Sequence, residues 1–229
     1  MGKIGALCII RDVSPRKESE SRLHALHEST ALLGRTTSEE GASEIVLDTL
    51  NELFGMRYAG IGFVENDRLV FKSIRGESGL DRLLLDGPGL TVRAIRTRQT
   101  QVVNDTTKDP DYLNGRVGGA QSLSELDVPI IVDGEPVALI SVEENEPNGF
   151  DVEEVQLVEI LANHFASALG RIRYNNRLVE MREAHVKELI GGIDKMCIRL
   201  QDDLKGPIHT IRNSSFILRH NPRPRYGCS

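Results

Sequence analysis

SELDVPIIVDGEPVALISV, residues 124–142, carries the reading of the fold. Two apolar runs, Leu126 to Val132 and Glu135 to Val142, flank Asp133-Gly134. An Asp-Gly pair between β-favouring runs is the composition of a two-residue hairpin turn. A second pair of β runs stands upstream, Tyr58 to Glu65 and Leu69 to Ile74, with Asn66-Asp67 between them. Short Gln101-Val102-Val103 adds another β piece.

Helical patterns surround these runs. From Arg16 to about Leu33 the chain is charged, with Leu23, Leu26 and Leu33 at near-helical spacing. Thr37-Ser38-Glu39-Glu40 opens a helix that places Ile45, Val46, Leu50 and Leu53 on one side and stops at Gly55. A Gly-rich stretch, Gly76 to Gly89, leads to a short helix around Thr91 to Arg98, and a polar loop covers Asn104 to Ser122. Asn148-Gly149-Phe150-Asp151 begins a long helix. The order helix, hairpin, short helix, loop, hairpin, helix predicts an α+β domain: an antiparallel sheet with helices on one face and loops on the other.

Bulk properties set limits. The chain has 229 residues, 39% apolar and 27% charged, with a formal net charge of −6. Nothing in this balance suggests nucleic-acid binding by bulk electrostatics. No apolar run reaches the roughly 18 residues of a membrane span, and the opening residues do not read as a signal peptide. Cys8, Cys197 and Cys228 are odd in number and widely separated, without disulfide or zinc spacing. A cytoplasmic, reducing location is expected.

Several stretches together resemble a GAF domain: Val102-Val103-Asn104-Asp105, Asp109-Pro110-Asp111-Tyr112, the hairpin of residues 124–142, Phe150-Asp151, and the helix through Leu161-Ala162 and Ala166 to Leu169. The resemblance spans residues from about 20 to 170, with the domain proper at 37–170. One departure is Ala138, where many relatives carry Gly. The resemblance implies a six-stranded antiparallel sheet, a ligand cleft roofed by loops, and dimerisation through flanking helices. It does not imply a particular ligand. On the family pattern, the candidate cleft residues are Phe63, Phe71, Asp105, Tyr112, Ser122 and Glu143.

Residue types narrow the cofactor. Between Glu28 and Asn163 there is no His and no Cys. Haem with its usual axial ligands, iron–sulfur clusters and a cysteine-linked bilin are therefore not expected. The GAF-type methionine sulfoxide reductases also need cysteines. Asn104, Lys108, Phe150 and Asp151-Glu153-Glu154 echo the cyclic-nucleotide GAF pattern, but Asp151 follows Phe150 directly, which is the wrong spacing. A helix start with acids near its positive end explains Phe150-Asp151 as well.

Both ends carry further resemblances. Asp12-Val13-Ser14 resembles the closing triplet of a PAS domain before an outgoing helix. From Leu161, apolar residues alternate at four and three: Leu161, Phe165, Ala168, Ile172, Val179, Val186, Leu189, Ile193, Met196 and Leu200. That seam predicts a two-stranded coiled coil, with Asn175 a polar interruption. Gly191-Gly192 lies within it and reads either as a weak point or as a close helix contact. Asp202-Asp203-Leu204-Lys205-Gly206-Pro207-Ile208 resembles the phospho-acceptor box of sensor histidine kinases, with Asp202 where the acceptor His belongs.

The expected layout is a remnant of a PAS last strand at 1–15, a linker helix at 16–36, the GAF domain at 37–170 and a coiled-coil signalling helix at 171–200. A partial dimerisation helix follows at 201–220 and a disordered tail at 221–229. On this reading the chain starts mid-protein and is not autonomously catalytic. It is the sensory and transmitting part of a two-component sensor histidine kinase. Its partners are a second copy through parallel helices, the parent kinase core, a response regulator and an unidentified small molecule. The alternative is a structural dimerisation module whose GAF domain is ligand-free. An enzyme is a more distant reading, because the GAF segment offers no nucleophile–base pair or metal cluster.

Overall fold

The computed structural model describes residues 14–55, 58–76, 79, 81–117 and 121–220. The PAS-like run lies outside this set except for Ser14, and the tail 221–229 lies outside it altogether. The elements are α1 (Ser14–Arg35), α2 (Glu39–Phe54), β1 (Tyr58–Glu65), β2 (Arg68–Arg75), β3 (Arg82–Leu84) and α3 (Leu90–Thr97). They continue with β4 (Gln101–Val103), a 3₁₀ turn (Thr106–Lys108), β5 (Ser124–Val132), β6 (Glu135–Glu144) and α4 (Val152–His220). The chain divides after Tyr174 into two units.

Local chemistry sets the boundaries. Ser38 caps α2, its hydroxyl accepting from the Gly41 N–H at 3.1 Å. Gly55 closes α2 at φ 63, where a side chain would be strained. Asp151 and Glu154 form a reciprocal capping pair at the start of α4. The Glu154 N–H donates to Asp151 Oδ1 at 2.8 Å, and the Asp151 N–H donates to Glu154 Oε2 at 3.0 Å. Asp133 and Gly134 both take positive φ, as a type I′ hairpin turn requires.

The strands form one antiparallel sheet in the order β3-β2-β1-β6-β5-β4. β3 is an addition to the sequence reading, which found no strand in the Gly-rich stretch. On one face, Ala59, Ile61, Phe63, Leu126, Val128, Ile130, Ile140 and Val142 pack against Leu26 and Leu33 of α1, Val46, Leu47 and Leu50 of α2, and Val158, Leu161 and Phe165 of α4. The opposite face carries a smaller cluster, Leu69 and Leu139 with Ala94 and Ile95 of α3. The short helix therefore joins the loops and does not lie with the other helices.

The apolar seam of α4 divides. Leu161, Phe165, Ala168 and Ile172 are buried in the domain's own core, so they are not free to face a second helix. The sheet face needs a third helix to cover it, and four-three spacing serves that packing as well as a coiled coil. Arg171 ties this part of α4 down, donating to the carbonyls of Leu33 and Thr36 at 2.9 and 2.7 Å. Arg173 pairs with Glu39 at 2.7 Å. From Val179 onward the seam residues Val186, Leu189, Ile193, Met196 and Leu200 are exposed.

Candidate functional site

On strands, alternate side chains point to opposite faces. In β5 this sends Leu126, Val128 and Ile130 into the helix-covered core and leaves Glu125 and Asp127 on the other face. In β6 it separates Ile140 and Val142 from Ser141 and Glu143 in the same way. Register places Glu125 opposite Glu143, and Asp127 opposite Ser141. A small cleft of about 60 Å³ opens over this polar floor. Its polar lining includes Glu125, Ser141, Glu143, Arg116, Arg75 and Tyr58. Its apolar wall is Phe71, Ile74, Leu83, Leu90 and Leu113. Gly60 makes room for that wall, since a Cβ there would lie 2.9 Å from the Phe71 ring.

Arg116 organises the floor. Its side chain is only 3% exposed. Nε donates to Glu143 Oε2 at 3.0 Å, and Nη1 donates to Asn145 Oδ1. The guanidinium stacks on Tyr58 at 3.6 Å from the ring centroid. Nη2 is buried with no hydrogen-bond partner. The Ser122 hydroxyl donates to the same Glu143 oxygen, and the Ser122 N–H donates to the Tyr112 hydroxyl at 3.3 Å.

Electrostatics at the floor are dominated by burial. Glu125 is pushed well above the carboxylate range, first by burial and then by repulsion from Asp127 and Glu143. Asp127 is pushed up to about 7, chiefly by burial, with hydrogen bonds from Glu125 and Ser141 pulling the other way. One Asp127 oxygen, Oδ1, is buried without a partner. Burial also raises Tyr112. Outside the floor, Arg93 is held by Asp109 at 2.8 Å and Asp111 at 3.2 Å. Arg75, which also lines the cleft, is held by Glu44 and Asp48.

A prediction follows from the raised acids. A carboxyl whose folded pKa exceeds its unfolded value stabilises the fold below the unfolded value, near 4, and loses that contribution as pH rises through the folded one. For Asp127 the window runs from about 4 to about 7. Thermal unfolding of the empty protein should therefore fall in midpoint across this window. Asp127→Asn should flatten that fall and raise the midpoint at pH 8. Parallel curves for the two proteins would show that Asp127 is not charged against its will.

Residues 36–170 match the family described as GAF domain. The chain belongs to the GAF domain family. Solved GAF-fold structures superpose on it. The free methionine-R-sulfoxide reductase of Neisseria meningitidis, solved with its substrate, shares 21% identity, with 75% of this chain and 99% of that one covered at a TM-score of 0.62. The GAF domain of a phosphoenolpyruvate-protein phosphotransferase from Coxiella burnetii shares 22%, covering 69% and 98% at 0.62. A protein designated a GAF sensor, from Burkholderia vietnamiensis, shares 26%, covering 65% and 93% at 0.58. No curated protein matches the chain.

Among the residues expected in the GAF cleft, Phe71 and Glu143 line it. Tyr112 and Ser122 stand behind Glu143 in the hydrogen-bond network. Phe63 is 2% exposed in the helix-side core, because β1 alternation turns it away from Tyr58 and Gly60. Asp105 caps the 3₁₀ turn, accepting from the Thr107 N–H at 3.1 Å, and pairs with Lys108 at 2.7 Å, which lowers its pKa. Sequence reasoning did not single out Arg116, Glu125 or Tyr58 for the GAF cleft. For Glu125 a signal existed: acids alternating with Leu126 and Val128 in an otherwise apolar strand. Asp202 lies outside the GAF segment on an exposed face of α4, paired with Lys205 at 2.7 Å.

Proposed function

We propose that this chain is the sensory and transmitting part of a cytoplasmic two-component sensor histidine kinase. A small molecule binds the GAF cleft, and paired α4 helices relay the change to a kinase core that phosphorylates a response regulator. The observation that carries the reading is the shared wall of the site. β5 and β6 present Glu125 and Glu143 to the cleft on one face. On the other they present Leu126, Val128, Ile140 and Val142 to the same core as Val158, Leu161 and Phe165 of α4. A ligand that shifts these strands meets the signalling helix directly. Exposed Val179, Val186, Leu189, Ile193, Met196 and Leu200 supply the stripe for parallel pairing with a second copy. The kinase-like box from Asp202 to Ile208 supports the context, and its acceptor is degenerate.

Gly191 and Gly192 bear on the relay. A Cβ at either position would meet nothing within 4 Å, so no contact inside the chain calls for them. Two glycines in a helix interior cost about 2 kcal/mol relative to Ala, on the scale of a coupling energy of roughly 1–3 kcal/mol.

The test joins residues 14–220, with Asp202→His, to a complete kinase core. Autophosphorylation should change several-fold on Glu143→Gln in the cleft. Gly191→Ala with Gly192→Ala should shrink the ratio between the two cleft states. If the cleft substitution leaves output unchanged while the fold is intact, the domain is a structural dimerisation module and the sensing reading is wrong.

A further inference from the structure

The charges of the cleft do not balance. Glu125 and Glu143 line the floor, with Asp127 buried on the same face of β5, and Arg116 is their only nearby cation not already held elsewhere among the described residues. Arg93 is occupied by Asp109 and Asp111, and Arg75 by Glu44 and Asp48. Arg116 has a buried donor of its own to satisfy, the unpartnered Nη2. An unmatched donor and a carboxyl, Glu125, whose neighbours are like charges stand on one floor and call for a ligand that supplies both signs. The two stand close together, because Glu143 faces Glu125 across the strands and is bonded by Arg116 Nε. Beside them the wall of Phe71, Ile74, Leu83 and Leu113 is apolar. Among the described residues no group of three or more His, Cys, Asp or Glu side chains is arranged to hold a metal ion, which points to a molecular cation.

We propose that the cleft takes a zwitterion of the α-amino-acid class with an apolar side chain. The ammonium lies against Glu125 and Glu143, the carboxylate accepts from Arg116 Nη2, and the side chain lies on the Phe71 wall. The proposal rests on reading the cleft as a small-molecule site and names the ligand class for it.

Binding of this kind displaces protons. Burial raises both Glu125 and Asp127, the latter to about 7, so this face carries protons near neutral pH. The groups facing them are Glu143 on β6, Arg93 on α3, and Asp109, Tyr112 and Arg116 in the roofing loop. An arriving ammonium stabilises the charged carboxylates, and a proton leaves to solvent. Affinity therefore rises with pH, by up to about tenfold per pH unit for each proton released, until the ligand amine itself deprotonates.

The experiment is titration calorimetry on the whole chain with L-leucine, L-methionine and L-phenylalanine. N-acetyl-L-leucine and 4-methylpentanoate lack the ammonium, and L-leucine amide lacks the carboxylate. Expected is binding of at least one amino acid, and loss of tenfold or more for each truncated leucine if leucine is the binder. The same substitutions are made on whichever amino acid binds. Affinity should rise from pH 6 to pH 8, with proton release read from two buffers of different ionisation enthalpy. Glu125→Gln, close in shape, should weaken binding tenfold or more and reduce the proton release. The analogues leave the protein untouched, so the test stands even if a variant fails to fold. Binding by none of the three amino acids overturns the proposal. So does binding of N-acetyl or deaminated analogues as tight as the parent; the cleft is then still a small-molecule site. If the amino acid binds but the joined kinase ignores it, the ligand class holds and the sensing reading fails.

Discussion

Arg116→Met should lower stability by about 3 kcal/mol, and by more at pH 8 than at pH 5.5. Removing one partner of a buried, hydrogen-bonded ion pair costs roughly 3–5 kcal/mol, because the remaining charge stays behind uncompensated. Glu143 is a quarter exposed, which places the expectation at the lower end. Met keeps much of the length but loses the Glu143 bond, the Asn145 bond and the stack on Tyr58. It also removes the positive charge that Glu143 is bonded to, on the face that carries Glu125 and Asp127. Asp127, raised to about 7, ionises between the two pH values on the same face, so the loss grows. Urea unfolding at the two pH values measures it. A loss below about 1 kcal/mol at both would mean that water serves Glu143 as well as Arg116 does.

The second large effect separates the two halves of the α4 seam. Ile172 is 1% exposed in the domain core, whereas Leu189 is 55% exposed. Ile172→Asp should cost 4 kcal/mol or more, on the order expected for an unpaired charge in a packed core, and should unfold the GAF domain. Leu189→Asp should leave the domain's own unfolding within about 0.5 kcal/mol, as for an exposed site. With Ile193→Asp added, it should convert the proposed pair into monomers by analytical ultracentrifugation. Circular dichroism melting of each variant decides the first part. Equal destabilisation at 172 and 189 would show that the seam acts as one unit.

That contrast also marks what the residue pattern made legible. Both hairpins could be read because period-two runs meet turn residues that tolerate positive φ at Asn66, Asp133 and Gly134. Helix ends could be read from Ser38, Gly55 and Asp151, whose side chain or lack of one settles backbone groups locally. β3 was hidden, since three residues give no alternation to detect. The division of α4 was hidden as well, because a helix covering a sheet and a helix facing a twin use the same spacing. In the cleft, Phe71 and Glu143 were found by position in the family pattern. Arg116 was not, since its burial comes from a loop folding back over β6 and leaves no periodic trace. Phe63 was misplaced because an aromatic in a strand reads alike on either face until the register is known.

The alternation of β5 has a consequence for how such a protein can change. Positions 125 and 127 answer to the loop-covered face, where 125 lines the cleft, while 126, 128 and 130 answer to the helices beneath. Substitution can rewrite chemical preference at the first set and leave the hydrophobic packing untouched. A one-residue insertion or deletion cannot, because it would turn carboxylates into the oily layer and aliphatics into the pocket. Diversification at this strand is thus free in its spelling and rigid in its length.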